Sequence, residues 1–466
     1  MEDNDIVARD VREIFNTMPM SRKQWTVFLI CFAATAIEGF DTIVISFLAP
    51  AISHQWNLSA AALSPLVAFG LTGLLIGSIV GGVMADRVGR RAVSIVALAW
   101  FGVAGVMSSE AQSIVHLVGW RFITGVGIGA AMPATSAMVA EYVSDRSRSA
   151  MLASTYCGFL FGAAAAGFVT SLVIGVLGWR GLLVLSGALP LVVAALFAWQ
   201  VPESPLYMVV TRKSNQAAKA IIERVFPSLD CSNTRLVVAE PQEARRGSRA
   251  LLSDPYRLGT VLTWFTEFSG YLAFFLIGSW MPTYLKQSGM SMQDAAQVSS
   301  MFQFGALAGA VLFAILVRRY NVASVIAGAF GAGALLVVAL GMSEGASWHV
   351  IVIFLSGLAV GGPLICVNTI PGVFYPTSLR ASGGGWNVAI GRLGSIVGSS
   401  LIGLIVISGF PYLFTCTLLS IPLLMSCVCM TVMARVLRER RRLLSEFHED
   451  SATVEVNDAS MRGRAS

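Results

Sequence analysis

The sequence predicts an all-α membrane protein with twelve transmembrane helices in two pseudo-symmetric six-helix bundles. Three observations predict it: the composition, the spacing of the apolar runs and an internal repeat. Of 466 residues, 55% are hydrophobic and only 12% charged, where soluble domains carry about 25% charged residues. The mean hydropathy is +0.72. A water-facing fold this apolar lacks the polar surface to stay dissolved, so much of its surface must face lipid. The 45 glycines suit close helix packing in a bilayer.

Runs long enough to cross the hydrocarbon core, about 20 residues each, fall near 25–48, 63–84, 91–108, 114–138, 151–174 and 180–200. They resume near 258–281, 295–316, 322–342, 348–370, 383–407 and 411–434. The expected division is an N-terminal tail (1–24), a first bundle (25–200), a linker (201–257), a second bundle (258–434) and a C-terminal tail (435–466). Within the linker, Ser214–Val225 has the pattern of a short surface helix. The tail arginines Arg438, Arg440, Arg441 and Arg442 read as a topology determinant and an anchor for lipid headgroups.

Basic residues test this plan, because cytoplasmic connections collect Lys and Arg. Of the 32 Lys and Arg, 28 fall in the two tails, the linker and every second loop, while Arg180 and Lys286 fall on the other side. Arg121 and Arg392 lie within spans. Both termini are therefore expected in the cytoplasm, in a multi-pass protein of the inner membrane. The N-terminal tail is polar, and the run that follows holds Glu38 and Asp41, so it reads as a retained span rather than a cleaved signal.

The two halves repeat at one constant offset. Pro50 maps to Pro282, Ser59 to Ser291, Gly73 and Gly77 to Gly305 and Gly309, Phe122 to Phe354, Gly125 and Gly129 to Gly357 and Gly361, and Arg148 to Arg380. Parallel six-span repeats place a substrate site between the halves near the bilayer midplane.

At the end of the second span stands Gly82-Val-Met-Ala-Asp86-Arg87-Val-Gly89-Arg90-Arg91. A glycine lets two helices touch, and the charges that follow sit in the interface. This segment resembles the loop 2–3 signature of the major facilitator superfamily. The resemblance implies that fold, with Asp86 facing the eleventh span near Arg380 and Arg90 paired with Glu141, latching the cytoplasmic side in the outward-open state. The second-half copy, Arg318-Arg319-Tyr320-Asn321, has lost the acid. The run Gly125, Gly127, Gly129 follows no strand and lies inside an apolar span, so it reads as helix packing and not as a nucleotide loop. Gly73-x-x-x-Gly77-x-x-x-Gly81 reads the same way.

Five charges lie within spans: Glu38, Asp41, Arg121, Glu267 and Arg392. Each costs about 2.5–3.5 kcal/mol at a helix centre on insertion scales. Glu38 and Asp41, three apart, share one helix face. None has a charged counterpart at the repeat offset, so the scaffold is duplicated and the charges are not. That pattern points to chemistry, with a structural ion pair as the plainer alternative, above all for Arg121. The face around Glu267 carries Thr260, Thr263, Trp264, Gly270, Tyr271 and Phe274, and reads as a cavity wall. Trp386 and Asn387 lie on the eleventh span, off the face of Arg392.

Longer segments resemble the aromatic acid:H+ symporter family. They are Met20-Ser-Arg-Lys-Gln-Trp25, Glu38-Gly-Phe-Asp41 with Ala49-Pro50-Ala51, Arg121-Phe-Ile-Thr-Gly-Val-Gly-Ile-Gly-Ala-Ala-Met-Pro133, and Pro202-Glu-Ser-Pro205. The tightest is Tyr375-Pro-Thr-Ser-Leu-Arg380-Ala-Ser-Gly-Gly-Gly-Trp386-Asn-Val-Ala-Ile-Gly-Arg392. The chain departs from that family's pattern in having Glu38 where Asp is usual, Asn387 where a small residue is commoner, and Glu267 as an additional acid.

The resulting expectation is proton-coupled import of a small organic anion, an aromatic carboxylate of the benzoate or hydroxybenzoate type. Such an anion entering a negative-inside cell works against about 2.3 kcal/mol per 100 mV, so at least one proton must accompany it. Asp41, with Glu38 beside it, is the candidate proton carrier. Arg392 or Arg121 would hold the substrate carboxylate. Glu267, Trp264, Tyr271, Trp386 and Asn387 would complete the site, the tryptophans flanking a ring. Gly82, Asp86, Arg87, Gly89, Arg90, Glu141 and Arg380 would gate it. Neither cofactor nor metal is expected, only the proton gradient. The expected partners are the anion, H+ and the lipid bilayer, with no nucleic acid and a monomeric carrier. Rivals are symport of a non-aromatic acid or a sugar-like metabolite, a membrane-embedded sensor and a membrane enzyme. The sensor would need a sizeable soluble signalling domain, and the linker (201–257) and short tail are small for one. The enzyme lacks a clustered nucleophile and base, since His54, His116, His349 and His448 lie far apart and the seven cysteines are scattered.

Overall fold

The computed structural model describes residues 7–211, 214–231, 233–238, 248–343, 348–408 and 410–462. The chain ends, Arg212, Lys213, Arg245 and Arg246 of the linker, and the side chains of Arg440 and Arg441 lie outside the described set. The elements are β1 (Val7–Asp10), α1 (Val11–Thr17), α2 (Arg22–Trp56), α3 (Ser64–Val88), α4 (Arg90–Ser108), α5 (Ile114–Tyr142), α6 (Asp145–Gln200), α7 (Pro205–Val210), α8 (Asn215–Val225) and β2 (Thr234–Val237). There follow α9 (Arg257–Gln287), α10 (Met292–Leu316), α11 (Val322–Met342), α12 (His349–Val367), α13 (Ile370–Phe374), α14 (Thr377–Ser408) and α15 (Tyr412–Arg462).

Ten helical segments are long and apolar enough to span a membrane. One is α6, whose 56 residues would measure about 84 Å if straight. It is two spans joined at Gly178, where φ is +63°, a conformation that only glycine adopts without strain. With α14, a 32-residue helix, the described residues hold twelve spans. Helix starts follow their sequence signals: Ser21 and Gln24 form a reciprocal capping box on α2, and Ser113, Ser291 and Asn321 cap α5, α10 and α11. Ser214 caps α8, which buries Ala218, Ile222 and Val225.

The repeat is reproduced contact by contact. A Cβ at Gly73 or Gly77 would strike the carbonyls of Phe122 or Val126. A Cβ at Gly305 or Gly309 would strike those of Phe354 or Leu358, the same atoms one repeat further on. Close glycine approach thus fuses α3 to α5 and α10 to α12.

Two short strands depart from the all-α expectation. β1 and β2 pair in parallel, Val7 opposite Thr234 through Asp10 opposite Val237. They join the N-terminal tail to the linker, with the whole first bundle between them in the chain, and no local periodicity can reveal such a pairing. Phe15 of α1 then packs edge-on to Tyr142 and Phe226, and Arg12 donates to the Ala140 carbonyl at 3.0 Å. Tail and linker together form a strap across one end of the first bundle. That end, which carries the termini and the linker, is here called the terminal face, and the other the far face.

The bundles share a core toward the far face, where Phe40–Ile52 of α2 and Leu160–Ile174 of α6 join the second-half helices. Ser64 donates to the Ser400 carbonyl at 2.8 Å across that seam. Toward the terminal face the first bundle has a separate core of its own, built with the strap.

Candidate transport site

Asp41 and Arg121 stand opposite each other within the spanning helices α2 and α5. Arg121 donates from Nη2 to Asp41 Oδ2 at 2.8 Å and from Nη1 to Oδ1 at 3.2 Å. Their side chains are 0% and 3% exposed. A guanidinium buried in apolar helix packing needs such a fork-to-fork partner. Of the two intramembrane arginines, Arg121 is therefore already occupied, as its plainer reading anticipated.

Glu38 lies one turn before Asp41 and is fully buried, with no hydrogen-bond partner on either carboxylate oxygen. The next residue, Gly39, rests on the Phe159 backbone of α6, which closes that side. An ionised carboxylate here is uncompensated, whereas a protonated one needs a single acceptor. The unpaired acid of the pair is thus Glu38, while Asp41, the leading proton candidate from sequence, is held by a cation.

Arg392, on α14, is partly exposed and forms no ion pair among the described residues. Its Nη2 approaches Met132 Sδ of the first bundle at 2.8 Å, a weak acceptor. It lies within electrostatic reach of Glu38 in the first half and of Glu267 and Tyr271 in the second. Thus Arg392 stands between two buried acids without being bound by either.

Glu267 is fully buried on α9. Asn368 and Asn387 adjoin its carboxyl, yet neither oxygen meets hydrogen-bond geometry. Gly391 of α14 admits the Glu267 stem and the Tyr271 ring, since a Cβ there would lie 3.0 Å from Glu267 Cγ. Trp264 and Trp386 form a tilted pair with centroids 5.7 Å apart. Trp386 is 45% exposed, and the buried Trp264 Nε1 has no partner. The wider wall read around Glu267 is core instead. Thr260 bonds the Tyr375 hydroxyl at 2.7 Å, Thr263 bonds its own helix, Gly270 faces Leu364 and Phe330, and Phe274 packs on Phe302. Threonines that bond a helix carbonyl need no cavity to be satisfied.

At the terminal face, Arg90 binds Glu141 at 2.9 Å and Asp86 at 3.1 Å. The Asp86 side chain is 75% exposed. Arg380, expected opposite Asp86, is exposed and donates to its own Tyr375 carbonyl at 3.1 Å. Among the described residues the pairing of Asp86 with Arg380 is absent in this conformation, consistent with halves whose shared core lies toward the far face. Gly89 holds φ at +124°, and Glu203 of the Pro-Glu-Ser-Pro segment accepts from the Arg91 amide at 3.0 Å just beyond it. Tyr207 donates to the Arg87 carbonyl at 2.8 Å, and its ring lies 4.9 Å below the Arg90 guanidinium. Gly82 sits against Pro133. Sequence reasoning missed Glu203, Met132 and Asn368. An acid just past a span, facing a basic turn, was the available signal for Glu203; a methionine and an asparagine in apolar runs gave none.

Comparison with known proteins agrees with this architecture. The family model for the Major Facilitator Superfamily matches residues 31–399. The chain is 34% identical over 402 residues to the 4-hydroxybenzoate transporter PcaK of Pseudomonas aeruginosa, covering 85% of this chain and 90% of that one. It is 35% identical over 418 residues to a gallate transporter of Pseudomonas putida, covering 89% and 92%. A benzoate transport protein of Acinetobacter baylyi is 24% identical over 464 residues, covering 97% and 98%. Among solved structures, the partially occluded inward-open xylose transporter XylE from E. coli aligns with a TM-score of 0.66 at 18% identity, covering 87% of this chain and 98% of that one, a likeness of fold.

Proposed function

Since the chain belongs to the Major Facilitator Superfamily, and within it to the aromatic acid:H+ symporter family, we propose that it imports an aromatic carboxylate together with protons by alternating access. The observation that carries the reading is Arg392, a guanidinium at membrane depth with no carboxylate of its own among the described residues. The substrate carboxylate completes it by a charge-assisted pair. The half-exposed Trp386, backed by Trp264, offers a face to the ring. Relatives that carry 4-hydroxybenzoate and gallate support an aromatic acid as cargo.

Glu38 is the proton carrier in this reading, and Asp41 with Arg121 is the charged neighbour that tunes it. With Glu38 protonated, Arg392 lacks an anion and takes up the substrate. When the substrate leaves, Arg392 favours an ionised Glu38, and the proton follows. Occupancy and protonation are thereby linked through one cation. The basic residues support a cytoplasmic terminal face, which makes this conformation open toward the cytoplasm. The linker and tails are then cytoplasmic, the two bundles flank the site, and the carrier works as a monomer.

The test is uptake of labelled benzoate and 4-hydroxybenzoate into proteoliposomes, with and without an imposed pH gradient. Accumulation should require the acidic exterior and be competed by acids but not by the matching amides. Equal competition by acid and amide would sink the anion-binding role of Arg392.

A further inference from the structure

We propose that Glu267 is a second proton-carrying site, so that two protons accompany each monoanion; the step builds on the transport reading above. The argument is one of donors and acceptors. The Leu364 carbonyl can only accept, and Asn368 Nδ2 donates to it at 3.3 Å. That bond turns Asn368 Oδ1 toward Asn387, whose Nδ2 donates to it at 3.3 Å. Asn387 Oδ1 is left buried without a donor. Beside these amides lies the Glu267 carboxyl, with Asn368 and Asn387 close to it but neither oxygen in hydrogen-bond geometry.

Three buried acceptor atoms in one cluster, none with a donor in hydrogen-bond geometry, is an arrangement that native interiors avoid. A single proton on Glu267 changes the count. It makes one carboxyl oxygen a donor, in a cluster where the buried Asn387 Oδ1 lacks one. The groups facing Glu267 are few. Tyr271 shares its helix, Asn368 comes from the end of α12, and Asn387 and Arg392 come from α14; Tyr156 of α6 lies near Tyr271. Arg392 is the cation among them, and it makes no bond to Glu267.

The arrangement mirrors that of Glu38. Each half presents one unpartnered buried acid to the same arginine. When an anion occupies Arg392, both acids can stay neutral. When it departs, the guanidinium favours the ionised form of both, and both protons leave. A monoanion with two protons carries one positive charge inward, so the membrane potential adds to the driving force. One proton would leave the cycle electroneutral.

Two measurements test this. Infrared spectroscopy of the purified protein at neutral pH should show a buried carboxylic-acid carbonyl band that vanishes in Glu267→Gln. The same band should shift in Asn387→Val, which removes the acceptor and serves if Glu267→Gln fails to fold. A wild-type spectrum with no band sensitive to either change means an ionised Glu267 served by its asparagines, and overturns the proposal. In proteoliposomes, the charge moved per anion taken up should be one inward positive charge in wild type and fall to zero in Glu267→Gln. Unchanged charge per anion in that variant also overturns it. The infrared result stands even if no aromatic acid is transported, so the proton site and the cargo fail separately.

Discussion

Asp41 and Arg121 close on each other at two points, 2.8 Å and 3.2 Å, with almost no surface of either exposed. This bond divides the labour among the intramembrane charges. It occupies Arg121 and leaves Arg392 as the intramembrane cation without an ion pair among the described residues. It also separates two acids that share a helix face, since Asp41 is matched and Glu38 is not.

Asp41→Asn should therefore harm the fold as well as the cycle. It strands Arg121, and breaking one partner of a buried pair costs about 3–5 kcal/mol. Melting in detergent should fall sharply, and gradient-driven accumulation should be lost. The double variant Asp41→Asn/Arg121→Gln should recover stability without transport. A single variant as stable as wild type would contradict the pair.

Glu38→Gln should behave in the opposite way. No partner is lost, so stability should hold or rise. Accumulation driven by a pH gradient should vanish, while counterflow exchange, which need not release a proton, persists. Retained accumulation would remove Glu38 from coupling.

Arg392→Lys keeps the charge and loses the fork. Apparent affinity for an aromatic acid should weaken by about 1.5–3 kcal/mol, the size of a charged hydrogen bond. Amide analogues should bind poorly to both proteins. Competition assays with acid and amide decide the case.

Asp86→Asn should leave the present conformation intact. Its exposed pair with Arg90 is worth about 0–1 kcal/mol. The variant should instead weaken the opposite conformation, where Asp86 is free to meet Arg380. A cysteine placed at the far face of the site should then label more slowly from that side. Unchanged labelling with normal transport would reduce the motif to a topology signal.

Glycine substitutions should sort by contact. Gly77→Ala and Gly309→Ala drive a methyl into a backbone carbonyl on the facing helix, so both should lower yield and melting temperature. Gly384→Ala and Gly385→Ala meet nothing within 4 Å and should be tolerated in this conformation.

Much of this was legible in the sequence, because lipid imposes long apolar runs and duplication leaves a constant offset. The repeat predicted contacts as well as helices, down to the carbonyls under Gly73 and Gly305. The intramembrane charges could be picked out by their cost alone. Their pairing could not, since Asp41 and Arg121 lie on α2 and α5, with two helices between them in the chain, and nothing local says which acid a guanidinium will choose. The Glu267 face misled because a threonine looks the same in sequence whether it lines water or bonds its own helix. The strap of β1 and β2 was invisible for a further reason: two very short segments that pair from far along the chain leave no period to detect.

The glycine seams have a mechanical meaning. Helices whose backbones touch along successive turns cannot slide, so α3 with α5 and α2 with α6 in the first half, and α10 with α12 and α9 with α14 in the second, behave as stiff girders. The first half is stiffened again by the strap and by Glu203 bolting the linker to the start of α4. The second half has its arginine on α14, between Gly385, where a methyl would meet nothing within 4 Å, and Gly394, which rests on the Phe268 backbone. Duplication made two frames of one plan, and the strap leaves the first braced where the second has only its seams.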